Sequence, residues 1–511
     1  MTSAAADTRP PLSPVPQQQP GRAKSLLFTA GIVALPVVYV LTVYLDQGVW
    51  LFTATRAVLV AVAISVSLMG VASILLRSLV HGSLVGLCLV GMLVVHDVPR
   101  LVVALGIVAV SVAVLALAGP RAPARLSRST WALRNLIGAF GLVLLVVTIA
   151  QFGLRGQAIA SGTRWSGAAA AGVAADSGAP DIWLVLLDGH PRADVLERHW
   201  DYSNPGFVRG LEGLGFDVAD ESRSNYNLTA HTLPALLNMA LLEDLEPWSS
   251  YDKPADAPAA DRIRALQDNR AFETLRDHGY HLTSISAGYT TADVRAVDDY
   301  VDAGTADVFE MHLLGETALG GLVQTIYPEF GDAQVRQRIE ANLETLSRMA
   351  EESSDKPRFV FGHIPGPHAP YVYASVERPT VALLDIFHAP MEQYGIDLLK
   401  EAYAEHIAEF DDRVLLTLDT MVEAIGDEAV IIVMSDHGSR MTGHGHSLSP
   451  AEADEQFSTL LAVRTPDGEK LFDEDITTTN VLSGVLNRYL GTEIESADRV
   501  FQSEDGTRYV E

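Results

Sequence analysis

Acidic and histidine side chains follow several apolar runs of the chain, at the points where each run ends abruptly. Asp188 follows one such run, Asp436 and His437 follow another, and His363 ends a third. Carboxylate oxygens suit hard divalent cations, and imidazole suits zinc or manganese. Two aspartates and one histidine at strand ends can therefore hold one metal ion together with a hydroxyl group.

A candidate for that hydroxyl group is Thr229, in a loop that leads into an apolar segment. The segment predicts a helix from about Thr232. A hydroxyl near a helix N-terminus faces unpaired N–H groups and the positive end of the helix dipole, which favour an anion such as phosphate. The alternative is that Thr229 or Thr232 only caps the helix. Taken by itself, the segment favours the cap.

Three further histidines and one arginine have side chains that could assist such a site. His368 lies in a proline-rich loop, His444 and His446 lie in a glycine-rich loop, and Arg440 follows Asp436 closely. Imidazole can protonate a departing oxygen at neutral pH, and guanidinium suits bidentate contact with phosphate. The alternatives are packing for His368, a surface loop for the other two histidines, and a structural ion pair for Arg440.

Two other polar features invite a structural interpretation. His190 stands two residues after Asp188, and Asp411-Asp412 lies in a charged helical segment. We expect the paired aspartates to form a solvated helix face or to pair with a neighbouring helix.

The apolar runs alternate with helical segments, which predicts how these polar residues are positioned. Alternating strands and helices form a mostly parallel sheet with helices on both faces, and ligands bind at the carboxyl ends of its strands. The predicted strands are 181–187, 281–286, 358–363, 429–435 and 458–463. The predicted helices include 269–278, 334–351, 398–425 and 478–490.

The chain before residue 155 contains longer apolar stretches instead. They are 25–45, 57–76, 79–95, 101–118 and 135–152. A helix needs about 20 apolar residues to cross the hydrocarbon core, so the pattern predicts an α-helical transmembrane bundle of about five spans. The third and fourth stretches are short, and the alternative is that they form one hairpin.

These patterns divide the chain into four regions. We predict a disordered cytoplasmic tail in 1–24, a transmembrane anchor in 25–155, a flexible linker in 156–180 and an extracytoplasmic catalytic domain in 181–511. Arginine and lysine precede the first span and cluster between the fourth and fifth, which favours the cytoplasm for both places. We therefore expect a multi-pass protein of the cell membrane.

Charge is divided unevenly between the two halves. Of the 36 Lys and Arg and the 64 Asp and Glu, the first 180 residues hold 12 and 4, so the second half is strongly acidic. Because that surplus would repel a phosphate backbone, we expect no nucleic acid among the partners. The single cysteine, Cys88, excludes an intramolecular disulfide and a cysteine-based metal cluster.

Together these residues resemble the alkaline-phosphatase/sulfatase superfamily, and within it membrane-anchored sulfatase-like proteins such as lipoteichoic acid synthases and phosphoethanolamine transferases. The resemblance covers about 181–500 and rests on Asp188, the segment Asn225-Tyr-x-x-Thr229 and the segment Ser435-Asp-His-Gly438, in the family's order. It implies an alkaline-phosphatase-like α/β domain.

The resemblance also implies a site and its roles. One divalent metal ion (Mn, Mg, Ca or Zn) would lie among Asp188, Thr229, Asp436 and His437. Thr229 would be the nucleophile and form a covalent phosphothreonine, which reverses the preference for a helix cap. His368 would bind the transferred group or protonate the leaving group. The substrate-binding residues would be His368, His444, His446 and Arg440, and His446 is also a candidate catalytic residue.

Two departures from the superfamily narrow the chemistry. Formylglycine sulfatases need a cysteine or serine in a Cys-x-Pro-x-Arg segment, whereas Thr229 stands at the matching position and Cys88 lies in an apolar span. Formylglycine chemistry is therefore excluded. Phosphodiesterases with two zinc ions carry an additional Asp-x-x-x-His pair, which is not found beside His363 and His368, so one metal ion is expected.

The expected function is that of a membrane-bound, metal-dependent phosphotransferase or phosphodiesterase. Its partners would be the headgroups of lipids or cell-envelope polymers. Transfer to water and transfer to a second alcohol both fit the residues. The alternatives are a sulfate-ester or phosphonate hydrolase of the same superfamily, and a non-catalytic envelope protein that keeps the fold.

Overall fold

The computed structural model describes residues 22–46, 54–94, 99–118, 124–160, 178–246, 248–289, 292–376, 383, 395–440 and 447–509. The chain forms two compact units. The first consists of 1–42 and 56–151, and the second consists of 43–55 and 152–511. Residues 1–21 and 161–177, which hold most of the predicted tail and linker, lie outside the described residues.

Helices occur at all five predicted apolar stretches. They are α1 (Arg22–Asp46), α2 (Thr55–Leu75), α3 (Leu79–Val94), α4 (Pro99–Ala118) and α5 (Ala124–Ala160). The last helix is longer than predicted, since it begins eleven residues earlier and continues to Ala160.

Four segments of these helices are long and apolar enough to cross a membrane. They are Lys24–Tyr44, Thr55–Leu75, Pro99–Ala118 and Arg128–Gln151. The third helix has only 16 residues, which at 1.5 Å per residue is shorter than a hydrocarbon core of about 30 Å. It packs against α4, as a hairpin of the two would require. The helical bundle of about five apolar segments is confirmed.

The α/β domain contains the remaining elements. Its strands are β1 (Asp181–Leu187), β2 (Asp217–Val218), β3 (His281–Ile285), β4 (Asp299–Val301), β5 (Arg358–Ile364), β6 (Ala429–Met434), β7 (Leu461–Arg464), β8 (Phe501–Gln502) and β9 (Arg508–Tyr509). Its helices are α6 (Ala193–Trp200), α7 (Pro205–Gly213), α8 (Thr229–Asn238), α9 (Ala259–Gln267), α10 (Arg270–Asp277), α11 (Val308–Gly315), α12 (Ala318–Ile326), α13 (Phe330–Ala350), α14 (Ile396–Ile425), α15 (Pro450–Phe457) and α16 (Val481–Leu490).

Seven strands form one sheet in the order β2-β7-β6-β1-β5-β3-β4. The five strands from β6 to β4 pair in parallel, whereas β7 runs antiparallel to β6 and β2 antiparallel to β7. The mostly parallel sheet is therefore confirmed, and all five predicted strands belong to it. Strands β8 and β9 form a separate antiparallel pair that was not predicted.

Both faces of the sheet are covered by a hydrophobic core. Alternate residues of β1 point to opposite faces, so Ile182, Leu184 and Leu186 join one core with residues of α8, α10 and α16. Trp183 and Val185 join the other, with residues of α7, α13 and α14. Because β1 is buried on both sides, its apolar run is continuous.

Candidate active site

The carboxyl ends of β1, β5 and β6 lie side by side, because β1 is paired with both of the others. Leu186 of β1 lies opposite His363 of β5 and opposite Met434 of β6. Asp188 and Asp436 each follow two residues later, and they therefore reach the same level beyond the sheet. Sheet register thus brings together residues that are 248 positions apart in the sequence.

Asp188, Asp436 and His437 form a compact cluster of possible metal ligands. The Nε2 atom of His437 lies 3.4 Å from Asp436 Oδ2 and 3.7 Å from Asp188 Oδ1. One ligand atom from each residue lies within 4.8 Å of the others. Asp188 Oδ1 and Asp436 Oδ2 are buried without a hydrogen-bond partner. Two buried carboxylates with unsatisfied oxygens are costly without a cation, so these residues fit the single divalent metal ion that the sequence predicted.

The orientation of His437 suits this role. Its Nδ1 lies 2.7 Å from the carbonyl oxygen of Gly438, so Nδ1 carries the hydrogen and donates it. The lone pair of Nε2 therefore faces the two carboxylates. A carbonyl that fixes the tautomer of a ligating histidine in this way is typical of metal sites.

Thr229 is placed beside this cluster. Its Oγ1 lies 3.3 Å from His437 Nε2. The prediction of a helix from about Thr232 was wrong, because α8 begins at Thr229 itself. The reason is that Leu228, in an extended conformation, occupies the N-cap position without any side-chain bond to the helix.

The alternative of a helix cap is excluded for both threonines. Thr229 lies inside the first turn, and its hydroxyl contacts His437. Thr232 Oγ1 donates to the carbonyl of Tyr226 at 3.2 Å. The hydroxyl of Thr229 therefore remains at the amino end of a buried helix, close to the possible metal ligands.

A sequence model of the sulfatase family matches residues 183–480, more than half of the chain. The chain belongs to the sulfatase family. The matched segment includes Asp188, Thr229, Asp436 and His437. Membership supports an enzyme that hydrolyses or transfers phosphoric or sulfuric esters.

Solved structures resemble this sulfatase-family protein at low sequence identity. The periplasmic domain of EcEptC from Escherichia coli, in complex with zinc, is 13% identical with a TM-score of 0.39, over 60% of this chain and 82% of that one. The soluble domain of lipooligosaccharide phosphoethanolamine transferase A from Neisseria meningitidis is 18% identical with a TM-score of 0.35, over 60% and 87%. Phosphonate monoester hydrolase of Agrobacterium radiobacter is 14% identical with a TM-score of 0.38, over 63% and 79%. No curated protein matches the sequence significantly.

Two histidines of the candidate site contact Asp188. His363 Nε2 lies 3.5 Å from Asp188 Oδ2, and the backbone N–H of His368 donates to the Asp188 carbonyl at 3.1 Å. Burial tends to raise the pKa of Asp188, but the charge of His368 and the hydrogen bond and charge of His363 hold it well below its ordinary value. Burial also tends to lower the pKa of His363, but Asp188 raises it above the ordinary value. The site therefore favours the ionised carboxylate that a metal ion requires.

The half-buried His368 lies at the edge of the cluster. Its ring is 6.3 Å from the ring of His437 between centroids, and its Nδ1 lies 2.9 Å from the carbonyl oxygen of Ala369. Since that carbonyl oxygen can only accept, Nδ1 donates to it. His368 therefore lies beside the candidate metal ligands.

Glycines allow the loops that follow β1 and β6 to approach each other. Gly189 has φ +69°, and a Cβ there would lie 3.3 Å from His437 Cε1 and 3.5 Å from His368 Cδ2. A Cβ on Gly438 would lie 2.1 Å from the carbonyl oxygen of Glu455. A larger residue at Gly189 would therefore press on His437, and one at Gly438 would clash with the backbone of Glu455.

The expectation that Asp411 forms a solvated face was wrong. Asp411 is 1% exposed, and its Oδ1 accepts a bond from His190 Nε2 at 2.9 Å. His190 Nδ1 bonds to the Pro191 carbonyl at 2.8 Å. Since both ring nitrogens of His190 face acceptors, the pair anchors the loop that begins at Asp188. A signal in the sequence could have found it, because Asp411 lies on the apolar face of α14 with Ile407 and Val414.

Arg440 is only partly paired. Its Nη2 lies 3.3 Å from Glu504 Oε1, while its Nε is buried without a hydrogen-bond partner. The alternative of a structural ion pair therefore explains the Nη2 atom of Arg440 but not its Nε atom. His444 and His446 lie outside the described residues, and their predicted roles stay predictions.

Proposed function

We propose that this sulfatase-family protein is a membrane-bound, metal-dependent phosphotransferase or phosphodiesterase that uses Thr229 as its nucleophile. Its substrates would be phosphoesters of lipid or envelope-polymer headgroups. The observation that carries the proposal is the 3.3 Å contact between Thr229 Oγ1 and His437 Nε2. The hydroxyl in this contact lies close to two carboxylates, each of which has one buried oxygen without a hydrogen-bond partner.

A divalent ion held by Asp188, Thr229, Asp436 and His437 would lower the pKa of the hydroxyl and neutralise charge on the phosphoryl oxygens. The residues of the chain account for the remaining chemistry. The Thr229 hydroxyl gives up its proton to solvent as Oγ1 forms a bond to phosphorus and the bond to the leaving alkoxide breaks, which gives a phosphothreonine. His368, protonated at Nε2, gives that proton to the leaving oxygen. Water or a second alcohol then attacks the phosphothreonine and loses a proton to His368, the bond between phosphorus and Thr229 Oγ1 breaks, and Oγ1 takes up a proton from solvent.

Substitution of Thr229 tests the nucleophile. In the full chain purified in detergent with Mn²⁺, Thr229→Ala should lower turnover of bis-p-nitrophenyl phosphate and of a fluorescent phospholipid by about a thousandfold or more. Thr229→Ser is the matched control, since it keeps a hydroxyl and should keep measurable turnover. Equal turnover by Thr229→Ala and the original protein would exclude the proposed role.

Hydrolysis of sulfate esters is the second candidate, because the matching family model is that of the sulfatases. Parallel assays with an aryl sulfate and an aryl phosphate diester separate the two. The proposal predicts a larger kcat/KM for the phosphate diester than for the aryl sulfate. A larger value for the sulfate, still dependent on Thr229, would establish the second candidate instead.

We also propose that the α/β domain lies outside the cytoplasm. The support is the basic charge before the first span and between the fourth and fifth. In intact cells, an impermeant amine reagent should label the exposed Lys253 and Lys470 but not Lys24. Mass spectrometry identifies the labelled lysines, and labelling of Lys24 alone would reverse the topology.

A further inference from the structure

One stretch of the acidic α/β domain carries no charge. It is 317–328, which contains the whole of α12 and which we call the uncharged segment. Glu316 and Glu329 bound it, and no Lys, Arg, His, Asp or Glu lies between them. In a domain with so large a surplus of acidic residues, a surface helix without charge needs a physical reason.

The large apolar side chains of the uncharged segment face outward. In the described part of the α/β domain, six large apolar side chains are exposed, and three of them are Leu322, Ile326 and Tyr327. Ile326 is 75% exposed. Leu322 and Ile326 are four residues apart on α12, so they lie on the same face of the helix. Neighbouring exposed apolar side chains of this kind mark an interaction surface.

The opposite side of α12 is packed against α11. Thr317 Oγ1 accepts a bond from the N–H of Gly320 at 3.2 Å and donates to the carbonyl of Leu314 at 2.7 Å. A Cβ on Gly320 would lie 2.2 Å from the carbonyl oxygen of Leu314, so the glycine permits this close approach. Helix α11 therefore fixes α12 with its apolar face turned away from the domain.

Helix α11 in turn contacts the end of the first apolar span. Residues 43–55 belong to the same compact unit as the α/β domain, and Tyr44 is the last residue of the span Lys24–Tyr44. The rings of Tyr44 and Phe309 meet edge to face, with 4.1 Å between their centroids. The end of a membrane-spanning helix lies at the interface of lipid and water, where tyrosine is enriched. Since the eight residues of α11 extend over only about 12 Å, α12 lies close to the same level.

We propose that α12 lies on the membrane surface, with Leu322 and Ile326 among the acyl chains and Tyr327 at the level of the headgroups. Apolar side chains gain free energy when they leave water for hydrocarbon, and short amphipathic helices bind the interface in this way. The missing charges fit this partner, because carboxylates would have to lose their hydration there.

A second copy of the chain is the other possible occupant of the apolar face. Three exposed side chains cover far less than the roughly 800 Å² that each partner buries in a stable protein interface. The contact of α11 with Tyr44 also places the face beside lipid. Docking of α12 on the bilayer would hold the α/β domain at the headgroups whatever ester Thr229 attacks, so it does not depend on the proposed chemistry.

A spin label at Ile326 tests the position of α12. The full chain carries Cys88→Ala, so that the label reacts only with the introduced cysteine of Ile326→Cys, and is reconstituted in phosphatidylcholine nanodiscs. Oxygen concentrates in the hydrocarbon, whereas a neutral nickel chelate stays in water. Power saturation of the electron paramagnetic resonance signal should therefore show frequent collisions of the label with oxygen and rare collisions with the chelate.

Leu416→Cys is the matched control. Leu416 is an apolar residue of the same domain with a similar exposure of 69%, but it lies on α14 between the exposed Asp412 and Asp419. Its label should collide more often with the chelate than with oxygen. The same result for the label at Ile326 would overturn the proposal. Rare collisions with both reagents at Ile326 would also overturn it, because the face would then be covered by protein.

A second pair of variants tests whether the apolar face holds the helix at the membrane. In the protein labelled at Ile326, Leu322→Glu should raise the collision rate with the chelate, since a carboxylate pulls the face towards water. Leu416→Glu introduces the same charge elsewhere and should leave that rate unchanged. Both replaced side chains are exposed, so neither change disturbs a hydrophobic core. Equal collision rates in the two variants would overturn the role of Leu322.

Discussion

Buried carboxylates lie at two places near the carboxyl edge of the same sheet, Asp293 at one and Asp188 with Asp436 at the other, and their hydrogen bonding differs. Asp293, beyond the end of β3, accepts bonds from Ser286 Oγ at 2.9 Å, from Tyr300 at 2.8 Å and from Arg295 at 3.3 Å. In the second group, Asp188 Oδ1 and Asp436 Oδ2 accept no hydrogen bond.

The two groups are also joined. Asn342 donates to the carbonyls of Ser286 at 2.8 Å and of His363 at 3.2 Å. Asn342 therefore links the segments that carry the two groups. Both groups are buried, so they differ in hydrogen bonding and not in burial. A fully bonded carboxylate stabilises the fold, whereas an incompletely bonded one reserves its oxygens for a ligand. The comparison predicts that a substitution at the fully bonded Asp293 lowers stability but not activity, whereas a substitution at Asp436 lowers activity but not stability.

The largest effect is expected for Asp436→Asn. The amide oxygen still accepts the bond that Gly189 N–H gives to Asp436 Oδ1 at 3.0 Å, but one metal-binding charge is lost. We expect kcat to fall by about a thousandfold and the melting temperature in EDTA to stay unchanged or rise, because like-charge repulsion decreases. A large drop of the melting temperature with normal kcat would place Asp436 with the structural group.

Asp293→Asn should give the opposite result. Its amide would present a donor to Tyr300 and Arg295, so the free energy of unfolding should fall by about 3 kcal/mol. Thermal denaturation followed by circular dichroism measures the loss. Turnover per folded molecule should remain close to that of the original protein, and a loss of turnover comparable to that of Asp436→Asn would remove the distinction.

Addition of a metal ion should stabilise only the incompletely bonded group. An ion that binds the folded state alone stabilises by about 2.7 kcal/mol at a hundred times its Kd. We expect Mn²⁺ or Zn²⁺ to raise the melting temperature of the original protein and of Asp293→Asn, but not of Asp436→Asn. Equal shifts in all three proteins would indicate binding elsewhere.

The smallest effect concerns Asp307, an intermediate case. It accepts a bond from the N–H of Glu310 at 2.7 Å, while burial, with the charge of Glu310 adding to it, raises the pKa of Asp307 to about 7. Between its unfolded value and pH 7 the folded state binds more protons, so this contribution to stability is lost as pH rises. Asp307→Asn should therefore gain stability relative to the original protein as pH increases from about 4 to 7. A constant difference in melting temperature across that range would contradict the assignment.

The fold was largely predictable because its signals are local. Continuous apolar runs such as 429–434 can be buried on both faces only in the middle of a sheet, and the apolar stretches before residue 155 exceed what a soluble core needs. Strand order was not predictable, since it depends on pairings between distant segments. The antiparallel direction of β7 was not predictable either, because it depends on how β7 pairs with β6.

The residues that meet at the candidate site could be singled out from the sequence, while their roles stay predictions. Asp188, Asp436 and His437 were singled out because each follows an apolar strand. The start of α8 was misplaced because Leu228, which gives no capping signal, precedes it. Asp411 was wrongly predicted to face solvent because it was considered together with its charged neighbour Asp412. Its spacing from the apolar residues of α14 was not taken into account.

The sequence by itself determined which residues stand at the carboxyl ends of strands and which stretches can span a membrane, because both follow from local periodicity and length. The tertiary structure decided which of those residues meet. Pairing of β1 with β5 and β6 sets the carboxylates beside one histidine, because contacts between distant segments are fixed only when the chain folds.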